Sequence, residues 1–400
     1  MTNSTIFENS FNNSLQLPCG AVIKNRLVKS AMSDSLADGE GNVTNAQARL
    51  YERWAEGGVG LSIIGEVQVD PRFPEKPGNL VLGPNADLKA LRKLVSRASI
   101  NDAHIWPQLG HAGGLSHIPI SKPKGPSALN IGHFQCAGMS EIEISQLPDM
   151  YAKAAMIAKK TGFTGVQIHA GHGFLLSQFL SPLFNFRQDQ YGGTIESRCR
   201  IIVKIINKVR EVVGESFPIG IKINSTDQLQ GGLTQEDALE VVRILDKTSI
   251  DLIELSGGSY FPGAKPSSEG ASKGPYFIEF AAKARNLTTI PLVVTGGLKT
   301  LEQALKILES GAVDFVGLAR SLIINPELAN DWLMGIDNNP DFPRFEAPPL
   351  GAITAWYTLF LTAIGNDSEG NFKIELLSAI DHYESRDDER CVKWLQKFSA

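Results

Sequence analysis

The chain has 400 residues, of which 42% are apolar, and a formal net charge of −5. That length accommodates a full (β/α)₈ barrel with extra segments. The mild acidity offers no electrostatic footprint for nucleic acid or an anionic membrane. No apolar run approaches the roughly 20 residues needed to cross a bilayer, and the opening Met-Thr-Asn-Ser-Thr-Ile-Phe-Glu lacks the basic and apolar regions of a signal peptide. Cys19, Cys136, Cys199 and Cys391 are scattered without paired spacing, so they read as free thiols in a reducing compartment. These features lead us to expect a soluble, cytoplasmic protein acting on a small molecule, with no nucleic-acid or membrane partner.

Residues 1–22 carry turn formers around Leu15 and Leu17, consistent with a small hairpin closing the bottom of a barrel. Eight short β-like runs follow, over 25–31, 60–65, 105–109, 165–169, 219–224, 252–255, 292–295 and 315–318. Most are nearly continuous in apolar residues, as strands buried on both faces should be. Amphipathic stretches over 85–100, 147–160, 195–213 and 235–247 alternate with them. Thr234 opens Thr-Gln-Glu-Asp, a good helix N-cap with acids in the first turn. Strict alternation with eight units points to an α/β (β/α)₈ TIM barrel over 1–337.

Two connections are long and rich in Gly, Pro and Ser, 110–144 after the third strand and 256–276 after the sixth, which suits active-site loops. Residues 338–350 form a proline-rich linker into a C-terminal extension, 338–400, with an apolar helix over 352–364 and a charged segment ending in Phe398. The apolar helix must pack on the barrel or on a second subunit, which leaves a homo-oligomer open.

The chemistry-bearing residues sit at strand ends. Gly296 and Gly297 end the seventh strand, and Ala319 and Arg320 end the eighth. Glycines there let backbone N–H groups approach an oxyanion, Arg320 adds a planar cation, and this is the usual phosphate site of the fold. The phosphate belongs to FMN or to a phosphorylated substrate; spacing does not decide. His169 and His172 end the fourth strand, on the face where barrel enzymes do their chemistry. As a metal pair they lack a suitably spaced acidic partner, so no metal is expected. Arg187, Asp189, Tyr191 and Arg198 read as an ion-paired loop holding the fourth strand against its helix. Tyr260, on the loop after the sixth strand, is within reach of the pocket.

The string from His169 through Gly-Phe174-Leu-Leu-Ser-Gln-Phe-Leu-Ser-Pro182, followed by Asn185-Phe-Arg187-Gln-Asp189-Gln-Tyr191-Gly-Gly, resembles the fourth-strand motif of the Old Yellow Enzyme family of FMN-dependent oxidoreductases. So do Asn25-Arg26-Leu-Val28 running to Met32-Ser33, the second strand ending at Gly65, Gln108-Leu-Gly-His111, and Ile-Lys222-Ile-Asn. Seven of the eight strands carry the pattern in order. The resemblance implies that Ser33 and Gly65 lie along the flavin, that Gln108 bonds its pyrimidine ring, and that Lys222 faces its N1–O2 edge. A cation there stabilises the anionic reduced cofactor. It further implies that His169 and His172 donate as a pair to a substrate carbonyl or nitro oxygen. Three positions depart. Lys222 stands where the family commonly has arginine, keeping the charge without the bidentate fork. Ser33 stands where the family has cysteine or threonine. Phe174 stands where it has the tyrosine that gives a proton to the α-carbon.

The expected reaction is ping-pong reduction of an electron-poor alkene, an enone or nitroalkene, with NADPH or NADH as reductant. No Rossmann glycine fingerprint is present, in keeping with a nicotinamide that shares the substrate pocket. Phe174 also admits an NAD(P)H oxidase, or a pathway dehydrogenase or isomerase. A more remote alternative is a flavin-free, phosphate-binding lyase with Lys222 as its Schiff-base lysine.

Overall fold

The computed structural model describes residues 10–131, 134–261 and 277–399. In chain order it runs β1 (Leu27–Lys29), α1 (Asn45–Glu56), β2 (Leu61–Gln68), α2 (Leu88–Ala98), β3 (His104–Gly110), α3 (Glu141–Thr161), β4 (Val166–Ala170), α4 (Leu175–Leu180), α5 (Ile195–Val213) and β5 (Ile219–Asn224). It continues through α6 (Gln235–Leu245), β6 (Leu252–Ser256), α7 (Ile278–Arg285), β7 (Leu292–Thr295), α8 (Leu301–Glu309), β8 (Phe315–Leu318), α9 (Arg320–Ile324) and α10 (Leu328–Leu333). Each strand pairs in parallel with the next. β8 returns to β1, with Val316 opposite Leu27 and Gly317 opposite Val28, so the sheet closes into a (β/α)₈ barrel.

Strand alternation sorts the side chains. Along β4, Val166, Ile168 and Ala170 belong to the core packed between sheet and helices, whereas Gln167 and His169 reach side chains across the barrel interior. The helices are capped as their sequences dictate. Thr234 accepts from the Asp237 N–H, and Thr194 caps α5 in the same way. Ser140 and Glu143 form a capping box, and α3 therefore begins at Glu141, six residues before the stretch its amphipathic pattern marks.

The bottom of the barrel is apolar. The hairpin of Leu15–Gln16 with Val22–Ile23 seats Leu17 and Ile23 against Val28, Leu61 and Trp106. Trp106 needs small neighbours: a Cβ at Gly165 would come within 2.5 Å of its ring, and one at Gly220 within 3.0 Å. Higher up the interior turns polar, and the site lies there.

After the linker, α11 (Ala352–Gly365) lies against α1 so closely that a Cβ at Gly365 would meet the Ala46 carbonyl at 2.4 Å. Arg49 and Arg53 of α1 bridge to Asp367 at 3.0 Å each, and Arg53 to Glu369 at 2.8 Å. The charged segment is itself a helix, α12 (Leu376–Phe398), which the sequence reading leaves unassigned. Its Arg390 donates to the Ser35 carbonyl (2.8 Å) and its Trp394 to the Pro71 carbonyl (3.0 Å). Trp394 and Cys391 are buried with Val81 and Ile120. The extension thus packs on its own barrel, over loops that leave β1, β2 and β3.

Candidate active site

His169, 2% exposed, is the last residue but one of β4, and the chain then turns through His172, whose φ of +59° is left-handed. That uncommon backbone is held at both ends. The His172 N–H donates to Asn224 Oδ1 (3.0 Å), and its carbonyl accepts from the Tyr260 N–H (3.1 Å). So placed, the second ring faces the first: His169 Nε2 lies 3.0 Å from His172 Nδ1, and His172 Nε2 lies 2.9 Å from Ser256 Oγ. The two imidazoles are therefore linked in series.

The other end of this line is Glu66. Its Oε1 lies 2.5 Å from His169 Nδ1. The oxygen lies off the direction of an N–H on Nδ1, and Nδ1 has no hydrogen-bond partner. β2 carries one extra residue relative to β3 between Ile64 and Val67, and this bulge aims Glu66 inward. Only glycine fits opposite: a Cβ at Gly110 would sit 2.2 Å from Glu66 Oε2. Burial pushes the Glu66 carboxyl up to about 8, against the pull of Lys222. Burial, aided by Lys222, brings His169 down to about 3 and places His172 well below the usual imidazole range. Near neutral pH both rings are neutral and the acid is mostly protonated.

Beneath this line, Lys222 Nζ meets Glu254 Oε1 at 3.0 Å. Gln167 and Thr295 also donate to Glu254, at 2.7 and 2.8 Å, and Gln108 donates to Gln167 at 2.6 Å. Burial alone would raise the Glu254 carboxyl, but Lys222 and these donors bring it down to about 2. Lys222 is therefore a balanced cation. Ser33 bridges to Gly65 in the backbone, and its hydroxyl donates to Glu75 at 3.0 Å. Burial pushes Glu75 up to about 7.

Across the mouth, Gly296 and Gly297 have φ of +123° and +74°, conformations that side chains rarely adopt. Ala319 precedes α9, and the Arg320 guanidinium lies 5.7 Å from the Tyr357 ring of α11. Phe174, 4% exposed, sets its ring 5.2 Å from that of His169 and 5.8 Å from that of Tyr260, which stands 5.9 Å from His172. A cleft of about 420 Å³ opens over Phe174 and Tyr260, bounded also by Glu75, His117 and Phe134. The rest of the loop after β6, 262–276, lies outside the described residues.

The loop after α4 matches its reading. Arg187 pairs with Asp189 (2.9 Å) and donates to the Pro126 and Met139 carbonyls, while Arg198 pairs with Asp237 (3.1 Å). Among the described residues no group of three His, Cys, Asp or Glu could hold a metal ion, and no helix is long and apolar enough to cross a membrane. Glu66, Glu75, Glu254 and Ser256 are site residues the sequence reading misses. The signal for two of them is present: Glu254 interrupts the apolar run Leu-Ile-Glu-Leu, and Glu66 follows Gly65 inside another.

The donor set fits a flavin mononucleotide. Two left-handed glycines and a guanidinium stand at the mouth where a phosphate would bind, and Ser33, just beyond β1, bridges to Gly65 of β2, with Gln108 on β3 and Lys222 on β5. The chain matches the NADH:flavin oxidoreductase / NADH oxidase family over residues 19–339. It is 34% identical over 368 residues to the NADH-dependent flavin oxidoreductase iliE of Neonectria, covering 83% of this chain and 48% of that one. It is 33% identical over 375 residues to the iliE protein of Hypocrea jecorina, covering 84% and 92%. The chain thus spans about half the Neonectria relative and nearly all of the Hypocrea one. In three dimensions it superposes on the Old Yellow Enzyme homologue of Zymomonas mobilis with a TM-score of 0.71 and 24% identity, over 82% of this chain and 93% of that one. The fold is that of the flavin-binding barrel oxidoreductases. The chain belongs to the NADH:flavin oxidoreductase / NADH oxidase family.

Proposed function

We propose that this protein is an FMN-dependent reductase of electron-poor alkenes such as enones and nitroalkenes, driven by NADH or NADPH in a ping-pong cycle. FMN, when bound, would take hydride from the nicotinamide and pass it to the β-carbon of the alkene. The observation that carries the reading is the cleft itself. It has aromatic walls, Phe174 and Tyr260, and behind these rings stand His169, 5.2 Å from Phe174, and His172, 5.9 Å from Tyr260. Aromatic walls suit a flat conjugated substrate, and neutral N–H and O–H groups suit a carbonyl or nitro oxygen on which negative charge develops. Gly296, Gly297, Ala319 and Arg320 would hold the phosphate. Ser33, Gly65, Gln108 and Lys222 would meet the ring system. A lyase using Lys222 is disfavoured, because its ammonium is engaged by Glu254 and the chain belongs to a flavin family.

One observation favours a second reading. Phe174 has no hydroxyl, so the ring beside His169 cannot act as an acid. Oxygen needs no such group, and an NAD(P)H oxidase would function with this wall. Anaerobic reduction of the holoenzyme, followed by reoxidation with 2-cyclohexenone, β-nitrostyrene or oxygen, separates the two. Reoxidation by oxygen alone would contradict the alkene-reductase reading.

A further inference from the structure

Adding hydride to the β-carbon of an enone leaves negative charge that the α-carbon discharges by taking up a proton. Phe174, the aromatic wall beside His169, has none to give. We propose that Glu75 is the acid of this cleft and gives that proton to the α-carbon. The proposal rests on the alkene-reductase reading above.

Glu75 lines the cleft together with Phe174 and Tyr260. It sits on the loop after β2, and its carboxyl is held by one oxygen only. Ser33 Oγ donates to Oε2 at 3.0 Å, and Asn79 Nδ2 donates to the same oxygen at 3.2 Å. Asn79 is itself fixed: its Oδ1 accepts from the Lys76 N–H at 2.8 Å and from Gln68 Nε2 at 3.2 Å. No hydrogen bond from the described residues reaches Oε1. Two donors on one oxygen suit the carbonyl of a neutral acid, whose O–H is then on the other and is left for a ligand of the cleft.

The surroundings keep the proton available. The groups facing Glu75 are Lys76 on its own loop, Glu66 on β2, Tyr260 after β6 and Tyr383 of α12. His117 lines the same cleft, and α12 brings Asp387 to 3.8 Å from Lys76. Burial raises the carboxyl to about 7, with Glu66 adding to the rise and Lys76, Ser33 and Asn79 opposing it. An acid at that level holds its proton near neutral pH and still parts with it readily. Tyr260, the other acid of the cleft, has a ring 65% exposed and a phenol whose ordinary value is about 10, so it gives a proton less readily.

The step balances. Hydride, drawn from the nicotinamide in the family's activity, forms the C–H bond at the β-carbon. The alkene π electrons move to the α-carbon and bond the Glu75 proton, and the O–H electron pair stays on Oε1. The products are the saturated ketone and a Glu75 carboxylate, which Ser33, Asn79 and Lys76 stabilise. The carboxylate regains its proton from water entering the cleft.

Glu75→Gln tests it. The amide oxygen still accepts from Ser33 and Asn79, but the side chain releases no proton. In the holoenzyme, reoxidation by 2-cyclohexenone should fall about 10²-fold or more, while reoxidation by β-nitrostyrene, whose nitronate product needs no immediate proton, should fall far less. Adding Phe174→Tyr should restore much of the enone rate. In the wild type the enone rate should fall as pH rises through about 7. Equal losses on both substrates, no loss on either, or an enone loss in Tyr260→Phe in place of Glu75→Gln would overturn the assignment. A further measurement needs no turnover. Infrared difference spectra of the holoenzyme, wild type against Glu75→Gln, should show the C=O stretch of a neutral carboxyl at pH 6 that vanishes as pH passes about 7. A Glu75 already ionised at pH 6 would overturn it as well. A wild-type flavin that no nicotinamide bleaches would instead refute the functional reading, and the infrared titration would still report on Glu75.

Discussion

The Lys222 ammonium and the Glu254 carboxylate meet 3.0 Å apart on the neighbouring strands β5 and β6, with 3% and 0% of their side chains exposed. A buried cation at this place would be costly alone, and the carboxylate beside it is what lets the barrel keep it.

Removing one partner should therefore cost more than the pair contributes. Glu254→Gln leaves Lys222 uncompensated, and a loss of about 3–5 kcal/mol in unfolding free energy is expected. In the holoenzyme it should also raise the flavin midpoint potential, because an unbalanced positive charge favours the anionic reduced form. Denaturant titration and a dye-equilibrated redox titration check the two effects. The pH dependence has a definite sign. The folded Glu254 carboxyl lies at about 2, below its unfolded value, so its contribution is present above about pH 5 and lost as pH falls toward 2.

Glu66 carries the opposite sign. Its folded value of about 8 lies above the unfolded one, so the folded state holds the proton more tightly. That favours folding fully below about pH 4 and is lost as pH rises through 8, every tenfold difference in proton affinity between the two states contributing about 1.4 kcal/mol. Glu66→Gln, which does not titrate, should melt higher than wild type at pH 8.5, with the gap closing at pH 5. Scanning calorimetry at the two pH values decides it.

The C-terminal helix bears on the mouth of the barrel through Trp394. Its ring is 1% exposed among Val81, Ile120 and Cys391, and its N–H bonds the Pro71 carbonyl at 3.0 Å. Trp394→Ala should cost about 3–5 kcal/mol. It should also speed hydrogen exchange in the loop over 70–79, which carries Glu75, more than in α5 on the far side. Equal protection in both regions would show that α12 does not steady this loop.

Arg320 is proposed to bind the FMN phosphate. A charge-assisted hydrogen bond contributes roughly 1.5–3 kcal/mol, or about ten- to a hundredfold in affinity. Arg320→Ala should lower FMN affinity by that factor while the circular dichroism of the barrel stays unchanged. Flavin fluorescence titration of the apoprotein measures it.

The eight strands and the strand-end residues were legible because parallel strands buried on both faces are written as short apolar runs, and the barrel fixes where such runs end. Gly65, Gln108, His169 and Lys222 lie on successive strands of that one sheet, and Ser33 just beyond the first, for this reason. The ion partners were not legible by the same rule. Glu254 and Glu66 look like exceptions in apolar strands, and only the register, which sets Lys222 beside Glu254 and bulges β2 at Glu66, shows what each charge faces. The series linkage of His169 and His172 depends on the left-handed φ at His172, which no residue type announces. The helix α12 was hidden by its charge: only Ala379, Asp387, Cys391 and Trp394 are buried along it, too thin a stripe to stand out.

The central claim is that electrons pass from a nicotinamide through FMN to an electron-poor alkene held in the cleft of Phe174 and Tyr260. Anaerobic stopped-flow absorbance at the oxidised-flavin band tests it most directly. The holoenzyme should bleach on mixing with NADH or NADPH, and the bleached enzyme should regain its colour on mixing with β-nitrostyrene at a rate that rises with nitroalkene concentration. A flavin that bleaches and is then reoxidised only by oxygen would contradict the account.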